Sequence, residues 1–284
     1  MQSYKENIQR IIFFGQNSHG SNESWLYRRA FLKKIPKNTR AAIIIECPTI
    51  DLIIYLLRKI NYNKAQDFSF LLSSTYWWMR SVDFSFFLQS IPDSFSIFGI
   101  DVALNISHHQ NHIQSLNLLT FPEKEILISL LKYDIRNGYI MSNISAEERE
   151  NLMKEKISLV MKGNYELIFV ICHNFHAAKE SWLHYPSLCQ LLRHEKNGGF
   201  SLYSSAIFSN KMEFIATPDG SSLVVNRVNN VCNKINDNTW LVKMISSLYC
   251  SEEKDALNLI ISTPRHFDNI IIHPIGKSIK MGAF

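Results

Sequence analysis

Six short, almost wholly apolar runs punctuate this chain: IIFF (11–14), AAIII (41–45), FSIFGI (95–100), LIFVI (167–171), LNLII (257–261) and NIII (269–272). Runs this brief, rich in β-branched and aromatic side chains and lacking polar alternation, suit strands covered on both faces, as in parallel sheets. Helical spacing fills several of the intervals. SWLYRRAFLKKI follows the first run and TIDLIIYLLRKI the second. SAEERENLMKEKISLVMKG leads into the fourth, with SAEE at 145–148 reading as a capping box. Strand–helix–strand alternation predicts an α/β fold, a mostly parallel central sheet flanked by helices. A helical cap portion is expected within 60–160, where YWWMRSVDFSFFLQSI reads as an aromatic helix. Segment 199–216 suits a strand or hairpin, and 226–238 a polar loop. With no repeat and no linker in the pattern, 1–284 reads as a single domain.

Composition enters where it excludes. A chain that is 46% hydrophobic and 19% charged can bury a core and is not that of a disordered protein. Its 30 lysines and arginines against 25 acids leave a charge of +5 spread without a basic block, which argues against a nucleic-acid binder. The longest greasy stretch, AAIIIECPTIDLIIYLL, is broken by Glu46, Pro48 and Asp51, so it predicts no membrane span. MQSYKENIQR lacks the apolar centre of a secretory signal, and the expected location is the cytoplasm. Five cysteines, an odd number without a CxxC pair, read as reduced thiols.

In open parallel sheets ligands bind beyond the carboxyl ends of the strands. After IIFF comes GQNSHG, bringing His19; after AAIII comes Glu46; after FSIFGI comes Asp101; after LIFVI come Cys172 and HNFH, bringing His173 and His176. Each has an ordinary alternative. A histidine after a strand often serves only as a loop hydrogen-bonder, and Asp101 suits a helix cap. Glu46 is different, because an acid abutting five apolar residues is costly to bury unpaired. Four strands ending in ionisable groups would gather carboxylate and imidazole in one crevice, a pairing that performs general acid–base chemistry. Other motifs are lacking. There is no G-x-S-x-G elbow, and Gly276-Lys277-Ser278 has no upstream glycine of a phosphate loop. His108, His109 and His112 have helical spacing but no neighbouring acid ligand, so no metal and no cofactor is expected.

These segments, in order, carry a resemblance. GQNSHGSNESWLYRRAFLKKI resembles the opening motif of the erythromycin esterase family, with His19, Glu23 and Arg28 at its spacing. AAIIIECPT resembles the strand that ends in the family's essential acid, here Glu46, and FSIFGIDV its G-x-D strand end, here Asp101. VICHNFHAAKESW is similar to the A-H-N-x-H motif and supplies His173, Asn174 and His176; PSLCQLLRH and RHFDNIIIHP resemble the helix and strand that follow. The resemblance implies a metal-independent site in which His19 is the general base, Glu46 supports the reacting groups, and His173 assists catalysis. Gln16, Glu23, Arg28, Asp101, Asn174 and His176 would bind the substrate, a small molecule or modified peptide. The expected reaction is ester hydrolysis or a related tailoring step in secondary metabolism. Two departures matter. The chain is shorter than the family's antibiotic esterases, mainly in the helical region that shapes their cleft, so a reduced helical cap portion is implied. And Gln16 stands where the family has glutamate. An amide keeps a carboxylate's hydrogen bonds but neither its charge nor its basicity, so His19 loses a neighbour that would favour its protonated form. That leaves a non-hydrolytic elimination, cyclisation or rearrangement as an alternative, and a haem or small-ligand binding module as another.

Overall fold

A computed structural model of the chain describes residues 9–16, 19, 21–62, 76–181, 183–195, 199–209, 215–216, 222–223 and 266–273. Five of the six apolar runs become strands. They are β1 (Gln9–Gln16), β2 (Ala41–Pro48), β3 (Ser96–Asp101), β4 (Leu167–His173) and, after β5 (Phe200–Ser209) and a short antiparallel pair β6 (Ile215–Ala216) and β7 (Ser222–Leu223), the closing β8 (Asn269–His273). The run at 257–261, the polar loop at 226–238 and Gly276-Lys277-Ser278 lie outside the described residues. The central sheet has the order β3-β2-β4-β1-β5-β8, and every neighbouring pair is parallel.

Both faces are covered, which is why the strand sequences do not alternate. Ile11, Phe13, Ala42, Ile44, Ile168 and Val170 point to one side, against α4 (His109–Asn117), α5 (Lys124–Asn137), α6 (Ala146–Met161) and α8 (Leu188–Arg193). Phe14, Ala41, Ile43, Ile45, Phe169 and Ile171 point to the other, against α1 (Asn22–Leu32) and α3 (Val82–Ser90). Helix α2 (Thr49–Tyr62) connects β2 to β3 and sends Ile53 to the first layer and Leu52 to the second.

Helix boundaries follow side-chain chemistry. Ser21 caps α1 by accepting from the Ser24 N–H, and Ser145 with Glu148 completes the capping box of α6. The aromatic segment does not form one helix. Trp77–Arg80 make a single 3-10 turn and α3 starts afresh, because Ser81 accepts from the Phe84 N–H (3.1 Å) while donating to the Trp78 carbonyl (2.8 Å). Helices α4 and α5 arise where the sequence shows little periodicity. Between them His109 turns inward to Asp134 (3.6 Å), which also pairs with the buried Lys156 of α6 (2.6 Å). Within 60–160, then, β3 enters the central sheet while α3 to α6 pack on its faces. Among the described residues no helix is long and apolar enough to cross a membrane, and Cys47, Cys172 and Cys189 are buried free thiols.

Candidate active site at the carboxyl ends of four neighbouring strands

Because all strands of the central sheet run the same way, Gln16, Glu46, Asp101 and His173 emerge at its carboxyl end, from the adjacent strands β1, β2, β3 and β4. Register fixes their level: Gln16 lies opposite His173, and Pro48 opposite Asp101 across an irregularity in β2. The β2–β4 ladder runs to Ile45 and Ile171, and just beyond it the Glu46 carboxylate accepts from the His173 backbone N–H (2.7 Å).

Glu46 is the hub. Its Oε1 meets Arg149 Nη2 (2.9 Å) and His176 Nε2 (3.1 Å), and its Oε2 lies 3.6 Å from His19 Nε2. Burial alone would raise the Glu46 pKa, but His176, His19 and Arg149 together hold it well below the usual carboxylate range. His176 is clamped between two acids, its Nδ1 lying 2.6 Å from Glu150 Oε1 on α6. Burial would lower its pKa, yet Glu46 and Glu150 push it up to about 10, so it is an imidazolium at neutral pH. Asp101 is fully buried and grips Arg149 with both oxygens (2.7 and 2.5 Å), while Tyr76 donates to it (2.6 Å) and its own Oδ1 accepts from the Val102 N–H.

His19 stands at the open side, with 18% of its side chain exposed. It stacks on Trp78 (4.7 Å between centroids, 12° between planes), which in turn stacks on Trp25 and Tyr76. Its Nδ1 contacts the Gln16 amide nitrogen, and the Gln16 oxygen accepts from Arg28 Nη1. Burial pulls the His19 pKa down to about 3 against the opposing pull of Glu46, with His173, Arg28 and His176 adding to the fall. At pH 7 the ring is neutral. His173 caps α7 (Asn174–Ala177), its Nδ1 accepting from the Phe175 N–H (3.4 Å). Asn174, also buried, reaches the Ile207 carbonyl (3.3 Å) and leans on Gly15, where a β-carbon would come within 2.5 Å of Asn174 Oδ1.

Eight of the nine residues picked from the sequence are therefore tied to this cluster or to the backbone beneath it. The ninth, Glu23, lies half-buried in the first turn of α1. Arg149, Glu150 and Tyr76 contribute to the cluster and escaped the sequence reading. Arg149 was legible: positions 149, 153, 157 and 160 form one stripe of α6, and Met153, Ile157 and Val160 on it are buried. Among the described residues no group of three or more His, Cys, Asp or Glu side chains is placed to hold a metal ion. A separate depression of about 800 Å³, lined by Leu32, Lys33, Tyr55, Leu88 and Asp93 among others, lies where α1 and α3 end and β3 is about to begin, at the amino end of the sheet.

No protein-family model and no curated protein matches this sequence. Solved structures do match in fold. A succinoglycan biosynthesis protein superposes with a TM-score of 0.61 at 13% identity, over 98% of this chain and 90% of its own. A Bacillus cereus protein gives 0.55 at 12% identity, over 96% and 90%. An erythromycin esterase, the mutant EreC in its open conformation, gives 0.52 at 14% identity, over 95% and 91%. At such identities the likeness is one of fold.

Proposed function

We propose that the chain is an enzyme performing His/Glu acid–base chemistry, without a metal, on a carbonyl-bearing small molecule or modified peptide. Ester hydrolysis or a related acyl tailoring step is its reaction. One observation carries this reading. Glu46, almost buried, is the shared partner of His19, His176, Arg149 and the His173 N–H, at the strand ends where α/β enzymes place their chemistry. A structural ion pair does not need two partly exposed imidazoles at its open side; a reacting carbonyl does. In this reading His19 and His173 face the substrate, Glu46 orients them and takes up charge, and Arg149, Asp101 and His176 keep Glu46 fixed. The fold shared with an erythromycin esterase supports an acyl substrate.

A non-hydrolytic step on the same scaffold is the second reading, favoured by the amide of Gln16 against His19 in place of a carboxylate. The haem-binding alternative finds less support, because the His19 Nδ1 is taken by Gln16 and His176 sits between two carboxylates. The test is turnover of p-nitrophenyl acetate, a generic activated ester. Glu46→Gln should lower it by at least about 100-fold while the circular dichroism spectrum stays that of the parent. Equal rates in parent and variant would overturn the reading.

A further inference from the structure

The contacts of Gln16 decide where the proton of His19 sits. A guanidinium carries five N–H donors and no acceptor. The Gln16 atom facing Arg28 Nη1 is therefore its oxygen. Arg28 has little freedom to change this: it is 1% exposed, its Nη2 donates to the Phe14 carbonyl (2.9 Å), and its guanidinium lies over the Trp25 ring at 4.9 Å. With the oxygen committed to Arg28, the NH2 end of the amide faces His19 Nδ1. That group only donates, so Nδ1 must accept, and the imidazole proton belongs on Nε2, the nitrogen that faces the Glu46 carboxylate at 3.6 Å, beyond hydrogen-bond length.

We propose that Arg28 and Gln16 lock His19 as the neutral Nε2–H imidazole, so that His19 meets substrate as a hydrogen-bond donor to a carbonyl or oxyanion oxygen and not as the base that activates water. Protonating Nδ1 would set two donors against each other at a buried position, an arrangement burial makes costly. The downward pull of burial on the His19 pKa acts in the same sense. A neutral imidazole can polarise a carbonyl through its N–H without surrendering the proton. Arg28 and Gln16 are positioning residues, and His19 is the group that touches substrate. The ligand class follows: a molecule presenting an acceptor oxygen, such as an ester, amide or ketone, and not one presenting only an amine. The identity of the ligand rests on the active-site reading given above, whereas the position of the proton does not.

The experiment is a long-range 1H–15N spectrum of the full chain labelled with 15N-histidine, which separates Nδ1–H, Nε2–H and doubly protonated rings. The chain has 10 histidines, and the resonances lost in His19→Asn identify the relevant pair. We expect the Nε2–H form at pH 7, persisting on acidification to about pH 5. An Nδ1–H form or an imidazolium at pH 7 would overturn the proposal. Gln16→Glu should move the proton to Nδ1 and raise the ring pKa by about one unit or more; an unchanged tautomer counts against the lock. Arg28→Met frees the amide to turn, so a mixture of tautomers should appear, and a pure Nε2–H form removes Arg28 from the device. If either variant fails to fold, the spectrum of the parent alone decides. The expected tautomer combined with a Glu46→Gln variant that turns over ester normally would leave the lock standing and bring down the active-site reading.

Discussion

At the scale of single residues, position 16 separates the two chemistries open to this site. Replacing Gln16 by glutamate puts an acceptor against His19 Nδ1 while Nε2 still faces Glu46 Oε2 at 3.6 Å, so the ring becomes more basic. A hydrolase limited by a weak base should then gain, and p-nitrophenyl acetate turnover should rise about tenfold or more, since one pKa unit is worth ~1.4 kcal/mol. A reaction that depends on the Nε2–H donor should lose activity by the same change. The signs are opposite, and an unchanged rate in both assays would place position 16 outside the chemistry. The same residues show how far the sequence reaches. Glu46, Asp101 and His173 were readable because each closes an apolar run, and parallel strands bring such ends together. Arg149 was hidden among the charges of α6, where a solvated face and an inward stripe look alike until the 3.6 period is followed through Met153 and Ile157.

At the scale of elements, what was legible is what is buried on both faces. The strands β2 and β3 show no exposed position at all, and their sequences announce it. Strand β5 lies inside the same sheet yet reads only as a strand or hairpin, because Ser201 and Tyr203 face outward and break the apolar run. The split of the aromatic segment at Ser81 was unreadable for another reason: serine is tolerated within helices, and only its two hydrogen bonds make it a boundary here. The short α7 depends on a close approach to β1. A β-carbon at Gly15 would come within 2.9 Å of the Ala177 β-carbon and 3.0 Å of the Asn174 α-carbon. Gly15→Ala should therefore force α7 off the strand, carrying His173 and His176 with it. We expect a loss of about 1–3 kcal/mol in urea unfolding, with ester turnover falling further than stability does. A variant of parental stability and rate would show that β1 and α7 can part without consequence.

At the scale of the whole molecule, the buried ionisable groups of the hub give stability a defined dependence on pH. His176 has its pKa raised from 6.5 to about 10 in the folded chain, so the folded state holds a proton that the unfolded state has released across that interval. Its contribution is complete below pH 6.5 and is lost as pH climbs toward 10. His19 works the other way. Its pKa falls from 6.5 to about 3, so between those values the unfolded chain binds the extra proton and acid favours unfolding. Glu46, held below 4.5, adds to the acid limb, because its stabilisation is present above the ordinary carboxylate value and lost as pH drops. The three together place the maximum of thermal stability near pH 6.5, with a decline on either side. The alkaline limb carries the sharper test, since up to about pH 9 it traces to one residue between two acids. Above that the buried thiols of Cys47, Cys172 and Cys189, whose pKa values burial raises, add to it. His176→Gln leaves Glu46 and Glu150 without their shared cation, so the melting temperature should fall most at and below neutral pH, and its decline from pH 6.5 to about 9 should flatten. Melting curves of parent and variant across that interval decide the matter. Parallel declines would mean that His176 is not the proton held by the fold, and the imidazolium at the centre of the hub would have to be given up.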